Sequence, residues 1–337
     1  MQRVSVELAR ALTHHSSLNV SCMVLRSAWR WHHVQCTPWL AVTAARLHRL
    51  AQCRAMDVIL FSSMVTGSLA VLLRSVLQAN GIRTAAIAHG RDVTLPGVYQ
   101  RHVIGRALAT LDLVLPISRA TARACVARGM PEARVKIVPN GVDPGRFAQG
   151  AGSSDGRLHL VSVGRLVRRK GFKWFVDSVM PRLPDYVHYS IAGHGPEKAA
   201  IQRAIVRHGL QGRTRLAGQC TDVALVQLYQ NADLFIMPNT PVPGDMEGFG
   251  IVMLEAGACG TPTVAAALEG ISDVITPGAN GILVPSGDAA AFAKAILECA
   301  TDGSVRARTR AHTLHKFSWD QIASRYVEAL QFGASRD

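Results

Sequence analysis

The stretch ADLFIMPNTPVPGDMEGFGIVMLEAGACGTPTVA, residues 232–265, decides the fold class. The apolar run Leu234–Met237 predicts a buried strand, and Pro262–Ala265 predicts a second one. Between them, Ile251–Gly257 predicts a helix. A strand, a helix and a strand in this order are typical of a parallel sheet that helices cover on both faces.

The same alternation of short β-rich runs and longer helix-like stretches extends through the whole chain, which favours the α/β class. The predicted strands of the first half are Val58–Phe61, Thr84–Ala88, Leu113–Ile117 and Val135–Val138. Those of the second half are Leu158–Val163, His188–Ala192, Thr214–Leu216, Leu234–Met237, Pro262–Ala265 and Ile282–Val284.

The break between two domains is predicted from turn and linker residues. Pro139–Pro144 has the composition of a turn, and Gln149–Gly156 that of a flexible linker. The predicted domains are therefore residues 1–148 and 149–337. The apolar stripe of Trp319–Phe332 predicts a final helix that could pack on either domain.

Composition and charge exclude several classes of protein. With 337 residues, 48% hydrophobic and 18% charged, the chain can bury large cores and is not of the disordered class. Its net charge of +14 is uneven, since residues 1–147 carry 18 Lys and Arg against 6 Asp and Glu. This asymmetry predicts an anionic partner for the first domain, namely anionic lipid headgroups, a phosphorylated acceptor or nucleic acid, with a solvated basic surface as the alternative.

Localisation is predicted from the cysteines and the apolar runs. The seven cysteines are odd in number and include no C-x-x-C pair, which indicates a reducing compartment and neither a disulfide framework nor a zinc site. No apolar run reaches 18 residues. We therefore expect a cytoplasmic protein, and the basic first half adds the expectation that it is peripheral on the inner face of the membrane.

The segment Glu247–Glu255 is the strongest local signal for a ligand site. Gly248 and Gly250 allow close approach of the backbone to a ligand, and the start of the following helix suits a phosphate. Eight helical steps separate the two glutamates by about 12 Å, more than the roughly 5–9.5 Å of glycosidase carboxylate pairs. We expect two contacts along one elongated ligand, with Glu255 on a ribose diol. A solvated helix and turn is the alternative.

A basic loop, GRLVRRKG at Gly164–Gly171, follows another predicted strand and precedes a helix. Ligands bind beyond the carboxyl ends of strands in open α/β sheets. Because the loop lacks the P-loop pattern, we expect Arg165 and Lys170 to hold a diphosphate by charge-assisted hydrogen bonds, worth about 1.5–3 kcal/mol each. Arg168 and Arg169 are predicted to be surface charges.

The turn Ala88–Asp92, sequence AHGRD, also follows a predicted strand. This position predicts that His89 lies at the mouth of the first sheet, where ligands bind. The alternative is a structural histidine whose ring is satisfied by a backbone group.

These elements, in this order, resemble glycosyltransferase family 4. The resemblance runs from residue 1 to about residue 330. Its matching segments are Ala88–Asp92, Val138–Asp143, Gly164–Gly171, Gly193–Pro196, Gly218–Gln219, Ala232–Pro238, Glu247–Glu255, Glu269–Ile275 and Asn280–Val284. The resemblance implies the GT-B fold, in which two Rossmann-like domains face a cleft, the first binding the acceptor and the second a nucleotide sugar.

The resemblance also implies a reaction and its residues. It implies retaining transfer of a sugar from a UDP- or GDP-linked donor to a glycan or lipid-linked acceptor in cell-surface polysaccharide synthesis, without a metal or other cofactor. His89 and Glu247 would contact the transferred sugar as catalytic residues. The implied donor-binding residues are Arg165, Lys170, Cys220, Gly248, Phe249, Gly250, Ile251, Val252 and Glu255. Of these, Arg165 and Lys170 would bind the diphosphate, and the backbone near Cys220 the nucleobase.

One departure from the family keeps an alternative open. The family's first strand and glycine loop have no counterpart, because the chain opens with a helix-like segment in which Val4, Leu8 and Leu12 share a face. The chain could therefore be a truncated, non-catalytic GT-B protein that binds nucleotide sugars. A sugar-nucleotide epimerase is a further alternative. The 6% aromatic content argues against a nucleic-acid binder.

Overall fold

The structure, a computed structural model, describes residues 2–25, 32–94, 97, 100–299 and 303–331. The chain forms two compact units: unit 1 is Met1–Pro139 with Ile322–Asp337, and unit 2 is Asn140–Gln321. Residues 140–148, which end the predicted first domain, thus lie in unit 2. The reason is that Val142 N donates to Phe317 O at 2.8 Å, which ties the first residues after the crossing to unit 2.

Unit 1 has a three-stranded parallel sheet in the order β1-β2-β3. The strands are β1 Val58–Phe61, β2 Arg83–Ala88 and β3 Leu113–Pro116. The helices are α1 Gln2–His14, α2 His32–Gln52, α3 Met64–Gly67, α4 Leu69–Ala79, α5 Arg91–Thr94, α6 Gly105–Thr110 and α7 Arg119–Val126. Among the described residues, Val4, Leu8 and Leu12 are the buried face of α1, as the sequence spacing predicts.

The predicted strand Val135–Val138 is wrong. Only a single bridge joins Val135 to Val114 of β3. Lys136 N and Val138 N donate to Val114 O and Pro116 O, both at 3.0 Å. Pro116 has no N–H to return, so the parallel ladder stops after one bridge.

Unit 2 has a six-stranded parallel sheet in the order β6-β5-β4-β7-β8-β9. The strands are β4 Leu158–Val163, β5 Val187–Ala192, β6 Thr214–Gly218, β7 Leu234–Met237, β8 Thr263–Ala266 and β9 Gly281–Val284. The helices that start in unit 2 are α8 Phe172–Ser178, α9 Lys198–Arg207, α10 Asp222–Asn231, α11 Ile251–Ala258, α12 Ile271–Val274, α13 Ala289–Glu298, α14 Gly303–Phe317 and α15 Trp319–Gln331. All residues of β7 and β8 are buried, as expected of central parallel strands.

The segment predicted as a flexible linker, Gln149–Gly156, is held against unit 2. The buried Arg306 of α14 donates to Gly150 O at 3.1 Å, and Ser153 N donates to Asp233 Oδ1 at 3.0 Å. A Cβ on Gly150 would lie 2.3 Å from Gln230 O, so only glycine fits there. Glycine at this position permits close packing and does not make a flexible linker.

Helices able to cross a bilayer are not found among the described ranges, since none combines enough length with enough hydropathy.

Candidate functional site

The two predicted ligand loops of unit 2 meet because of the strand order. β4 and β7 are hydrogen-bonded neighbours, although β5 and β6 come between them in the sequence. The order in which strands are added therefore reverses between β4 and β7, and such a switch point opens a crevice beyond the carboxyl ends of the parallel strands. Gly164–Gly171 follows β4, and residues 238–250 follow β7.

A buried ion cluster, formed by Arg169, Lys170 and Glu247, joins these two loops. Lys170 ends a short 3₁₀ turn, Arg168–Lys170, and its Nζ donates to Glu247 Oε2. Arg169 Nη1 donates to the same oxygen. Lys170 and Glu247 are 7% and 9% exposed, so both charges depend on each other for stabilisation.

A third donor fixes the orientation of the Glu247 carboxylate. Asn239, fully buried after β7, donates from Nδ2 to Glu247 Oε2 at 3.1 Å. Every hydrogen bond that the described side chains make to this carboxylate falls on Oε2. Oε1 is therefore the oxygen that could accept hydrogen bonds from a ligand, since a carboxylate has about four lone-pair sites.

The local charges set the ionisation of the cluster. Burial alone would raise the pKa of Glu247, but Lys170 and Arg169 outweigh it and lower the pKa to about 2. Burial lowers the pKa of Lys170, and Glu247 opposes that shift. Glu247 is thus an anion at neutral pH and a poor general acid.

A pH prediction follows from Glu247. Its pKa in the folded state lies below the value of the unfolded chain, so its stabilisation is present above about pH 4.5 and is lost as pH falls towards 2. Between pH 5 and pH 3 we expect the free energy of unfolding of the parent chain to fall about 2 kcal/mol further than that of Glu247→Gln. Urea unfolding at both pH values measures this. Equal losses in the two proteins would show that Glu247 is not ion-paired.

The prediction that Arg169 is a surface charge is wrong. Arg169 is half-buried, and besides Glu247 it lies near Asp245, with Nε 3.3 Å from Asp245 Oδ1. Arg165 and Arg168 are exposed. Sequence periodicity could not predict which of these arginines is buried. The turn over Arg168–Lys170 directs neighbouring side chains to different surroundings.

The start of α11 has the geometry expected for an anion site. Gly250 has a left-handed φ of 84°, and no side chain caps the helix after it. Ile251 and Val252, the first helical residues, are half-buried, whereas the residues of the helix after them are buried. The Phe249 side chain is buried, 2% exposed, and its ring centroid lies 6.0 Å from that of Phe317. Phe249 could contact a donor only through its backbone.

A second glutamate, which sequence reasoning did not assign to the site, braces this loop. Glu269 accepts a hydrogen bond from Glu247 N through Oε2, and Gly270 N donates to Glu247 O at 3.2 Å. Glu269 has a φ of 49°, in the region that disfavours side chains. A Cβ on Gly270 would lie 2.0 Å from Gly248 O. The pair Glu269–Gly270 thus packs directly on the Glu247 loop.

Glu255 belongs to a separate network. It is 5% exposed and accepts a hydrogen bond from Tyr229 Oη of α10 at 2.8 Å. This bond fixes the Glu255 carboxylate on the α10 side of α11. Glu255 stays a predicted contact of the ribose.

Cys220 lies at a different place in unit 2. It follows β6, the edge strand, and lines a cavity of about 320 Å³ beside α10 together with Ser190, Arg215 and Gln227. Its thiol is half-buried and lies 3.8 Å from Gly218 O. The cavity shows open space next to this backbone, which the sequence alone does not reveal.

His89 follows β2 in unit 1, at the carboxyl edge of that sheet. Its Nε2 lies 2.9 Å from Ser62 O, which follows β1. Burial lowers the pKa of His89, and the nearby Asp92 opposes this shift. The ring is therefore bound to a backbone carbonyl, as in the structural alternative, and within the described part of the chain this bond is made by Nε2.

Two family profiles match the chain. The one described as Glycosyltransferase Family 4 matches residues 3–146, and the one described as Glycosyl transferases group 1 matches residues 157–302. Together they account for most of both units.

The chain is also similar in sequence to known glycosyltransferases. The amylovoran biosynthesis glycosyltransferase AmsK of Erwinia amylovora is 29% identical over 72% of this chain and 61% of AmsK, so the chain spans less than two thirds of that relative. A GDP-mannose-dependent monoacylated alpha-(1-6)-phosphatidylinositol monomannoside mannosyltransferase of Corynebacterium glutamicum is 26% identical over 86% of this chain and 80% of its own length.

A solved structure shares the fold. HepE of Anabaena, in complex with UDP and glucose, superimposes with a TM-score of 0.71 at 21% identity over 88% of this chain and 82% of HepE. The two parallel sheets, the two matching family profiles and the similarity to HepE all point to the same family and fold. The chain therefore belongs to glycosyltransferase family 4, the glycosyl transferases of group 1, and has the α/β architecture of the GT-B fold.

Proposed function

We propose that this chain transfers a sugar, with retention of anomeric configuration and without a metal, from a UDP- or GDP-linked donor to a glycan or lipid-linked acceptor in cell-surface polysaccharide synthesis. The observation that carries the proposal is the ion cluster of Lys170, Arg169 and Glu247 at the β4–β7 switch point, next to the uncapped start of α11. Cations and a helix start together suit a diphosphate.

Unit 2 offers a suitable side chain or backbone group for the diphosphate and for the sugar of the donor. Arg165, exposed after β4, and Lys170 would donate to the diphosphate, since an ammonium has three N–H donors and Glu247 occupies only one. The backbone at Ile251 and Val252 would bind the distal phosphate. Glu247 would accept from a sugar hydroxyl through Oε1.

The remaining donor contacts are proposed as follows. Glu255 would hold the ribose, and the backbone beside the Cys220 cavity would face the nucleobase. HepE, whose structure contains UDP and glucose, supports a nucleotide sugar as the donor class.

The chemistry follows from positive charge placed where negative charge develops. As the bond between the sugar's anomeric carbon and the diphosphate breaks, Arg165 and Lys170 would stabilise the departing oxygens. The acceptor oxygen attacks the same face of the sugar, and its proton passes to the departing phosphate. A new glycosidic bond and a free nucleoside diphosphate result.

The acceptor class is inferred from relatives and from charge. AmsK is named for amylovoran biosynthesis, and the Corynebacterium enzyme for a phosphatidylinositol mannoside acceptor. The two names support a glycan or lipid-linked acceptor as the class for this chain. The net charge of +12 in residues 1–147 favours an anionic surface near that acceptor.

Membrane association has its own test. We expect the chain to float with vesicles that contain anionic phospholipid at low salt and to be released at high salt, because the Debye length falls from about 30 Å at 0.01 M to 3 Å at 1 M. Vesicles of neutral phospholipid are the control. Equal recovery with both vesicle types, or no recovery, would remove the membrane from the proposal.

The donor is tested by titration calorimetry with UDP, GDP, UDP-glucose and GDP-mannose, followed by transfer of a radiolabelled sugar to a bacterial lipid extract. We expect saturable binding of one nucleotide series, labelled product, and retained configuration by NMR of the product. Binding without turnover in any extract would favour a non-catalytic nucleotide-sugar binder. No binding at millimolar concentrations would contradict the proposal.

A further inference from the structure

Two loops of unit 1 are joined at the carboxyl edge of its sheet. β1 and β2 are parallel neighbours, so the residues that follow them lie side by side. Ser62 directly follows β1, Met64 is the first residue of α3, and His89 directly follows β2. Among the described residues, the side chains that hydrogen-bond across these two segments are one carboxylate and one imidazole.

The carboxylate belongs to Asp92, which is 8% exposed. Its Oδ1 accepts from His89 N at 2.9 Å, and its Oδ2 accepts from Met64 N at 3.2 Å. Both oxygens are thus used by backbone N–H groups, one from each loop. Asp92 does not hydrogen-bond to the imidazole, so the pair is not an aspartate–histidine dyad.

The imidazole of His89 makes the second link between the two segments. His89 Nε2 lies 2.9 Å from Ser62 O, and a carbonyl oxygen only accepts, so Nε2 carries the hydrogen. In a neutral ring the other nitrogen, Nδ1, then has a lone pair. Such a nitrogen attracts a hydroxyl hydrogen and repels a phosphate oxygen.

We propose that Asp92 is a positioning residue that clamps these two loops, and that the clamp holds His89 as the neutral Nε2–H tautomer, with Nδ1 accepting a hydrogen bond from a sugar hydroxyl. The sugar rests on the proposed function, whereas the clamp and the tautomer do not. An amide at position 92 would present an NH₂ group to one of the two backbone N–H groups, and the clamp would loosen.

The first test is ¹⁵N NMR of the histidine side chains of the full chain at pH 7.5, with His89 assigned through His89→Gln. We expect a protonated Nε2 and an unprotonated Nδ1 in the parent chain. In Asp92→Asn we expect a mixture of tautomers and at least a tenfold lower kcat. A parent spectrum with protonated Nδ1, or an unchanged tautomer in Asp92→Asn, would overturn the proposal.

The control is Asp112→Asn. Asp112 also joins two strands of this sheet, accepting from Thr84 N at 2.9 Å and Thr84 Oγ1 at 2.8 Å, but at the opposite end of β2. We expect the His89 tautomer to be unchanged in this variant. A mixture of tautomers here as well would show that any loss of strand bonding has the same effect, and would refute a specific role for Asp92.

A pair of His89 variants tests the hydroxyl without altering Asp92. Glutamine can place a donor near the position of Nε2, and asparagine can place an acceptor near that of Nδ1. We expect His89→Asn to retain at least tenfold more kcat/KM than His89→Gln, and the reverse order would refute an accepting Nδ1. If the parent chain transfers no sugar, the proposed function fails, while the parent spectrum still decides the tautomer.

Discussion

The double variant Arg165→Met/Lys170→Met is expected to bind a nucleoside diphosphate roughly 1,000-fold more weakly than the parent chain. Two charge-assisted hydrogen bonds of about 2 kcal/mol each give about 4 kcal/mol, and each 1.4 kcal/mol is a factor of ten. Titration calorimetry with UDP and GDP measures the change. Because Arg169 also donates to Glu247, the buried carboxylate keeps one cation when Lys170 is removed.

The matched control is Arg168→Met/Arg203→Met. Both arginines are exposed, and the change in net charge is the same. We expect less than a threefold loss of affinity, since the long-range field of two surface charges is screened by salt. If the two double variants lose affinity equally, general charge and not a specific clamp holds the diphosphate.

The single variants separate binding from stability. Arg165 is exposed, so Arg165→Met should lower affinity and leave the free energy of unfolding unchanged. Lys170 is buried against Glu247, so Lys170→Met should lower both. Unfolding in urea, measured beside the titrations, assigns each effect.

The second large effect is expected from Gly171→Ala. Gly171 has a φ of 67°, and a Cβ there would lie 1.9 Å from Pro238 O. The left-handed conformation costs about 1–2 kcal/mol for a side chain, and forcing an atom into packed structure costs about 1–3 kcal/mol more. We expect a loss of about 4 kcal/mol in the free energy of unfolding, measured by urea denaturation.

Gly209→Ala is the control for Gly171→Ala. Gly209 has a similar φ of 62°, but a Cβ there would meet no atom within 4 Å. Only the backbone cost of about 1–2 kcal/mol should appear. Equal losses in the two variants would show that the loop of Lys170 does not press against the end of β7.

These variants also test how the site is assembled. Gly171 packs the loop after β4 on the loop after β7, and Gly270 packs the turn after β8 on Glu247–Gly248. Glycines at close backbone contacts therefore set the distance between Lys170 and Glu247. A side chain at either position would move the cation away from the carboxylate.

The sequence by itself determined the class of the fold and the chemical types in the site. Short apolar runs that alternate with helical stretches require parallel sheets covered by helices, because each strand must bury both faces. Polar and glycine residues after those runs mark the loops that lie at the carboxyl edge. The structure confirms the α/β class and nine of the predicted strands, with their ends shifted by at most a few residues.

Tertiary structure alone decided which of these residues meet. Lys170 and Glu247 are 77 positions apart and are joined only because β7 pairs with β4. Arg169 lies in the ion cluster because the 3₁₀ turn over Arg168–Lys170 directs neighbouring side chains to different surroundings, and Phe249 is buried against Phe317 of α14. Periodicity is a local property of the chain, whereas the partner and the ionisation of a buried charge depend on which strands are neighbours.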